Sequence, residues 1–162
     1  MTRFVLAVLT LLAIGCASAG GGGGGGDGGS PLFRREIGTA SKIDAYTLGM
    51  RVIQRFQYNV ISEDTIMEIR LETDWRPRPP FDDEVALGVT AAESRLILDA
   101  RPRGHSELGD IYTISLTVEN RLRVGNMPDW SESINTPMFQ EYAEGIVEDY
   151  KRELRNIGVR RF

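Results

Sequence analysis

The chain holds one histidine, and its neighbours are the natural starting point for any catalytic chemistry. His105 stands beside Ser106 and Glu107 in a glycine-flanked segment. A nucleophilic triad needs a serine, a histidine and an acid that converge from distant parts of the chain, because neighbours in a hairpin tip cannot all point at one substrate atom. No G-x-S-x-G, H-E-x-x-H or P-loop motif occurs. We therefore interpret His105 as a solvated loop residue.

Asp82, Asp83 and Glu84 form a short acidic run that could offer oxygen ligands to a hard cation such as calcium. The run lacks the alternation and the glycine of an EF-hand loop, so we interpret it as a solvated acidic loop. A pair of carboxylates working as in a glycosidase stays open, since nothing singles out two of the 23 acidic residues. The sequence predicts no metal and no cofactor.

The composition of the chain excludes further classes of protein. The chain has 162 residues, which suits one domain. A net charge of −4 gives no basic footprint for nucleic acid. A single cysteine excludes a disulfide framework and a zinc finger. We expect a protein that is not an enzyme and does not bind nucleic acid.

That single cysteine, Cys16, ends an apolar run that follows Arg3 and extends from Phe4 to Ile14. Eleven helical residues span about 16 Å, half of the hydrocarbon core of a bilayer. The run is therefore typical of a secretory signal peptide. The segment Leu12-Ala13-Ile14-Gly15-Cys16 resembles the lipobox of bacterial lipoprotein signal peptides. This resemblance implies cleavage before Cys16, which would carry a diacylglycerol thioether and an N-acyl chain such as palmitate.

The alternative is a soluble secreted protein cut after Ala19, because Ala17-Ser18-Ala19 has the A-x-A form. If Cys16 is lipidated, the absence of aspartate at positions 17 and 18 favours, by the same resemblance, the outer membrane facing the periplasm. An unbroken glycine run from Gly20 to Gly26 follows, and its composition predicts a flexible coil. The expected organisation is a signal peptide over 1–15, a lipidated cysteine and tether over 16–30, and one periplasmic domain over 31–162.

Two helices are predicted within that domain. The first, over 42–57, has Ser41 as N-cap, and its apolar face comprises Ile43, Tyr46, Met50, Ile53 and Phe56. The second begins after the N-cap Thr136 and ends at Gly158. Its apolar stripe comprises Phe139, Tyr142, Ala143, Ile146, Tyr150, Leu154 and Ile157.

Four strands are predicted between the helices. A strand over 58–62 forms a hairpin with one over 67–75, whose alternation places Met67, Ile69, Leu71, Thr73 and Trp75 on an apolar face. Residues 76–92 are predicted as a loop because three prolines oppose helix and ladder pairing. Strands over 94–101 and from Tyr112 onward flank a hairpin loop over 104–110.

The predicted fold class is therefore α+β. We expect a two-layer sandwich in which an antiparallel sheet of about four strands is covered on one face by two amphipathic helices. The order of elements is similar to that of the helix-grip domains of the Bam-complex lipoprotein C. That likeness covers element order and the lipoprotein signal, and no motif within 31–162.

A surface for interaction is predicted from one tryptophan and four arginines. Trp130 lies in a loop and would be an anchor if exposed, or a cap on the core if buried. Arg76, Arg78, Arg101 and Arg103 flank prolines and would form a positive patch if they shared one sheet edge. Such a patch would suit anionic lipid or an acidic partner, and solvated charge is the alternative.

These features predict a membrane-anchored envelope lipoprotein with a non-catalytic scaffolding or accessory binding role in envelope assembly or transport. Its partners would be the membrane, through the lipid anchor, and other envelope proteins. The alternative is an exported module that binds a small or lipidic ligand in a groove between helices and sheet, lined by residues such as Met67, Leu116 and Phe139. A hydrolase with an unrecognised site is the third hypothesis.

Overall fold

The computed structural model describes residues 32–106, 109–132 and 135–160. The signal segment, Cys16 and the glycine run lie outside the described residues. The elements in chain order are β1 Phe33–Ser41, α1 Lys42–Arg55, β2 Val60–Asp64, β3 Ile69–Thr73, β4 Arg76–Arg78, α2 Asp82–Ala86, β5 Val89–Ser106, β6 Gly109–Val124, β7 Ser131–Glu132 and α3 Pro137–Arg160. Within the described ranges, no helix is long and apolar enough to cross a bilayer.

The strands form one antiparallel sheet in the order β1-β6-β5-β3-β2, to which β4 adds on β5 and β7 on β6. The α+β class, the antiparallel pairing and the β2–β3 hairpin are confirmed. The sheet has seven strands rather than about four, and the described chain has three helices rather than two. The extra strands escaped prediction because β1 carries a bulge that breaks its alternation, and β4 and β7 have only three and two residues.

The predicted loop over 76–92 contains β4 and α2, so that expectation was wrong. Pro77 lies opposite Glu93 in the ladder between β4 and β5. A proline is tolerated there because β4 has β5 as its one strand neighbour, and a missing N–H costs little on an edge strand.

Both long helices pack on the same face of the sheet and close one continuous core. The sheet contributes aliphatic side chains at every second position of its central strands, among them Leu71, Leu96, Leu98, Ile114, Leu116 and Val118. The predicted stripe of α3 is confirmed, since Phe139, Ala143, Ile146 and Tyr150 are fully buried. The N-caps are also confirmed, because Ser41 Oγ accepts the Asp44 N–H at 3.2 Å and Thr136 Oγ1 accepts the Phe139 N–H at 3.3 Å. The helix α3 continues through Gly158 to Arg160.

The buried face of α1 is rotated from the predicted one, of which Ile53 is buried and Tyr46, Met50 and Phe56 pack partly buried against the core. Its buried residues are Ala45, Leu48, Gly49, Val52 and Ile53, whereas Ile43 is 78% exposed. The helix turns its small residues towards the sheet. A Cβ atom on Gly49 would lie 3.3 Å from side-chain carbons of Leu71 and Leu98, so glycine permits the close approach.

Replacing Gly49 with valine should therefore lower the free energy of unfolding by about 1–3 kcal/mol, because the added methyl groups overpack the helix–sheet contact. The matched control is Gly145→Val in α3, where an added Cβ meets no atom within 4 Å. Since valine and glycine differ little in helix propensity, we expect that control to change stability by less than about 0.5 kcal/mol. Urea denaturation of both variants measures the difference, and equal losses would contradict the close packing at Gly49.

Candidate functional site

Within the described residues, His105 lies in the β5–β6 hairpin. Strand β5 ends at Ser106 and β6 begins at Gly109. Most residues of the predicted loop over 104–110 are therefore paired between these two strands. His105 lies opposite Asp110 and its Nδ1 contacts that carboxylate. Its side chain is 85% exposed, which confirms a solvated residue. Glu107 lies outside the described residues.

The acidic run forms the first turn of α2, and two of its members have structural roles. Asp83 Oδ2 accepts the Met138 N–H at 2.9 Å and so caps the start of α3. Glu84 is completely buried. The expectation of a solvated acidic loop was therefore wrong for both residues, whereas Asp82 is exposed. Across the described ranges, no group of three or more histidine, cysteine, aspartate or glutamate side chains is placed to hold a metal ion.

Glu84 is buried because Arg78 is buried beside it. Arg78 Nη1 donates to Glu84 Oε2 at 2.8 Å, and Nη2 donates to Asn120 Oδ1 at 2.9 Å. The guanidinium lies 4.1 Å from the ring centroid of Phe81 and 5.5 Å from that of Phe139. The Arg78 side chain is 7% exposed. We call this group the Arg78–Glu84 clamp, because its hydrogen bonds join β4, α2 and β6, and the ring of Phe139 adds α3.

The four predicted arginines do not share an edge. Arg78 is inside the clamp, which corrects its assignment to a surface. Arg76 lies 5.4 Å from the ring centroid of Tyr58 and faces Ser94 of β5. Arg101 lies seven residues further along β5, a distance of about 23 Å at the rise of a strand. The joint positive patch is therefore absent from the described part of the chain.

Arg101 and Arg103 remain exposed at the far end of β5. Arg101 is 62% exposed and pairs with Glu68 at 3.3 Å, and Arg103 is exposed. The residues of the predicted interaction surface that remain exposed or partly exposed therefore lie in two separate regions. One is this end of the sheet, and the other surrounds Trp130.

Trp130 belongs to a ladder of arginines and indoles on the sheet face opposite the helices. Arg121 lies 4.3 Å from the ring centroid of Trp75 and 4.8 Å from that of Trp130. Arg95 lies 4.7 Å from the ring centroid of Trp75, and Arg123 lies 4.4 Å from that of Trp130. Trp130 therefore neither caps the helix-side core nor presents a bare ring as an anchor, since both indoles stack with guanidinium groups.

Trp75 lies on the opposite face from the one predicted. The alternation of β3 holds for Ile69, Leu71 and Thr73, which are buried. It fails beyond Thr73, where β3 ends and the Asp74 carboxylate accepts the Trp75 N–H at 2.7 Å. Met67 precedes the strand and is 80% exposed. The periodic pattern therefore extended two residues too far at each end.

A lattice of ion pairs covers the rest of this outer face. The Asp99 carboxylate pairs with the Arg70 guanidinium at 2.9 Å, and the Glu72 carboxylate pairs with that of Arg95 at 2.7 Å. Arg95 also pairs with Glu119, and Arg121 pairs with Glu93. The sequence contained a signal for these residues, since they alternate with the buried aliphatic positions of β3, β5 and β6. Their partners across the ladder depended on the register.

An apolar groove lies where α1, α2 and α3 meet. It encloses about 390 Å³ and is lined by Phe56, Phe81, Met138, Glu141, Tyr142 and Gly145. A hydrogen-bonded chain backs it, in which the Tyr58 hydroxyl lies 2.8 Å from that of Tyr142 and 2.7 Å from Ser94 Oγ. Burial, together with the neighbouring Tyr142, raises the pKa of Tyr58 above the usual tyrosine value. The hydroxyl is therefore protonated at neutral pH.

The groove is not the one predicted from the sequence. Leu116 and Phe139 are closed inside the core, and Met67 lies at the surface elsewhere. The signal that could have found it was the aromatic content of the segments around Phe56 and Phe81. These segments lie far apart in the chain, and the docking of α2 against α3 brings them together.

The Arg78–Glu84 clamp predicts a large loss of stability when one partner is removed. Arg78→Met leaves the buried Glu84 carboxylate without its cation, so the free energy of unfolding should fall by about 3–5 kcal/mol. The double variant Arg78→Met/Glu84→Leu should recover much of this loss, because it removes the unpaired charge as well. The control Arg101→Met breaks an exposed pair and should cost at most about 1 kcal/mol. Thermal and urea unfolding test this, and equal losses for both single variants would refute the clamp.

The ladder predicts a spectroscopic effect. Arg121→Ala removes the guanidinium that touches both indoles, and the chain has two tryptophans in total. We expect a red shift of the tryptophan emission and a loss of about 1–2 kcal/mol in the free energy of unfolding. Arg103→Ala serves as control because Arg103 is exposed and lies at the other end of β5. An unchanged emission spectrum in Arg121→Ala would mean that the stacking is not formed in solution.

The described part of the chain thus has a buried clamp, and its surface has a self-paired outer face, an open apolar groove and an exposed end near Arg101. Of these, the groove and the exposed end leave side chains available to a partner. Comparison with protein-family models and with curated proteins finds no family model and no protein that match this chain.

Proposed function

We propose that this protein is a membrane-anchored lipoprotein of the bacterial cell envelope with a non-catalytic scaffolding or accessory binding role in envelope assembly or transport. The observation that carries the proposal is the layout of the chain. A lipobox-like segment ends at Cys16, a glycine-rich stretch continues to Ser30, and β1 begins at Phe33.

The position of β1 supports this layout. The first strand of the described residues begins at Phe33, three residues beyond Ser30, so the glycine-rich stretch comes directly before the described domain in the sequence. A stretch with no apolar side chains suits a connection between an anchor and a folded domain. One acyl chain binds a bilayer only marginally, whereas the several chains of a lipidated cysteine anchor it stably.

A binding role is supported by the groove between α1, α2 and α3. Its walls are aromatic and aliphatic, with Glu141 at the rim. An apolar depression with a few polar groups is the usual form of a site for a side chain or a small ligand. In the main proposal the groove receives an apolar side chain of another envelope protein.

The decisive experiment is intact mass spectrometry of the mature protein from native membranes, compared with a Cys16→Ala variant. We expect an N-terminal Cys16 carrying three acyl chains, and its loss in the variant together with loss of membrane association. A mature chain that begins at Gly20 without lipid would overturn the proposal. It would leave the alternative of a soluble periplasmic or secreted domain.

A second candidate function is the binding of a small lipidic ligand in the same groove. The volume of about 390 Å³ favours it, because this lies within the range of sites for small molecules. A long-chain fatty acid with an anthroyl fluorophore is a suitable probe. Gly145→Leu should fill the groove and weaken binding at least tenfold, whereas Gly104→Leu, also open around its Cβ position, should not. Equal binding by both variants would exclude the groove as the site.

A further inference from the structure

Three large aliphatic side chains project from one end of the domain. Ile43 is 78%, Ile66 86% and Met67 80% exposed. Ile43 lies in the first turn of α1, and the other two lie in the turn between β2 and β3. We call these three residues the apolar tip. Exposing a contiguous patch of such side chains to water is unfavourable in free energy, so a cluster of them marks an interaction site.

The tip is one surface rather than three separate positions. Lys42 Nζ donates to the carbonyl oxygen of Ile66 at 3.0 Å and so joins α1 to the turn. A groove of about 300 Å³ runs between the two segments, lined by Lys42, Ile43, Tyr46, Glu63, Thr65 and Ile69. The Ile66 N–H donates to Asp64 Oδ1 at 3.0 Å, which holds the turn in shape.

The surroundings of the tip carry balanced charge. Lys42, Arg101 and Arg103 supply the positive charge at this end. The nearby carboxylates are bound by the protein itself, since Asp64 accepts the Ile66 N–H and Glu68 pairs with Arg101. Glu63 is hydrogen bonded to the Tyr46 hydroxyl, which raises the pKa of Tyr46. The binding free energy of this surface would therefore come from apolar burial rather than from attraction to one sign of charge.

The length of the N-terminal segment identifies the occupant. Phe33 and Ser41 are the two ends of β1, and the tip lies beyond Ser41, so Phe33 stands about 26 Å from the tip. Sixteen residues lie between Cys16 and Phe33, and random-coil scaling gives a segment of that length an r.m.s. reach of about 22 Å. A tether raises the effective concentration most when its reach matches the distance it must span. With this reach, the tip can contact the bilayer to which Cys16 would be attached.

We propose that the apolar tip of Ile43, Ile66 and Met67 inserts into the surface of a phospholipid bilayer and orients the domain on it, an inference that rests on the proposed anchoring of Cys16. The three side chains enter the headgroup region, and Lys42 and Arg103 extend to the phosphates. The sheet then stands upright with the groove between α1, α2 and α3 away from the membrane. Because the tip is apolar, insertion occurs in zwitterionic lipid and persists at high salt.

The test uses the mature protein in vesicles of phosphatidylcholine. The described part of the chain contains no cysteine, so Met67→Cys gives a specific position for a bimane fluorophore. The control is Leu87→Cys, since Leu87 is also exposed, at 57%, but lies next to the start of β5. Arg101, beside the tip, is twelve residues further along that strand, about 40 Å away. Phospholipid with a nitroxide on its acyl chain serves as quencher.

Insertion predicts that bimane at position 67 is quenched at least threefold more than bimane at position 87, in low and in high salt. Adding Ile43→Asp and Ile66→Asp to the Met67→Cys chain should abolish that difference, because each change removes an aliphatic group from the bilayer. Equal quenching at positions 67 and 87 would overturn insertion. Quenching of position 67 in anionic vesicles alone, lost in high salt, would also overturn it in favour of electrostatic attraction.

The same samples keep the two proposals apart. If mass spectrometry finds lipid on Cys16 and quenching is equal at the two positions, the anchor stands and the tip does not insert. If it finds no lipid, the anchor fails, and quenching on vesicles added to the unanchored chain decides insertion by the same criterion. If a partner protein shields the tip from lipid, quenching will be equal at positions 67 and 87, and this result counts against the proposal.

Discussion

The long antiparallel pairing of β5 with β6 is the constraint on which the rest of the fold depends. The ladder runs from the pair Val89–Val124 to the pair Ser106–Gly109. Every other strand except β2 pairs with one of these two, and β2 is joined to β5 through β3. Because the side chains alternate between faces, this register decides which residues meet the helices and which meet the outer lattice. A shift by one residue would exchange the two sets.

The two faces of this hairpin are closed by different means. The helices cover the aliphatic side, where Gly49 lets α1 lie close to Leu71 and Leu98. On the outer side, the long arms of arginine cover the strand, so that Ile97 and Thr117 are only 6% exposed there. Guanidinium groups serve this purpose because their stems are apolar and their planar heads can stack on indole while pairing with carboxylates. The sheet thus needs no third layer of secondary structure.

The two ends of the hairpin differ in a way that bears on function. At one end, the Arg78–Glu84 clamp fixes α2 against α3 and so forms the apolar groove. At the other, the apolar tip stands free of the sheet, beside Arg101 and Arg103. A tethered domain with one membrane-facing end and one partner-facing groove would hold a partner at a set height above the bilayer. The clamp and the outer face serve stability, because their carboxylates are paired with guanidinium groups of the same chain.

Local signals in the sequence determined the elements that have strong periodicity or clear caps. The apolar stripe of α3 and the caps Ser41 and Thr136 each depend on neighbours within a few residues, and each is confirmed. The lipobox-like segment at Cys16 is local in the same sense and stays a prediction. The tertiary structure alone decided that Arg78 is buried, that Trp75 lies on the outer face and that α1 turns Gly49 rather than Ile43 towards the sheet. Periodicity indicates the direction in which a side chain leaves the backbone, whereas burial depends on which distant segment lies opposite.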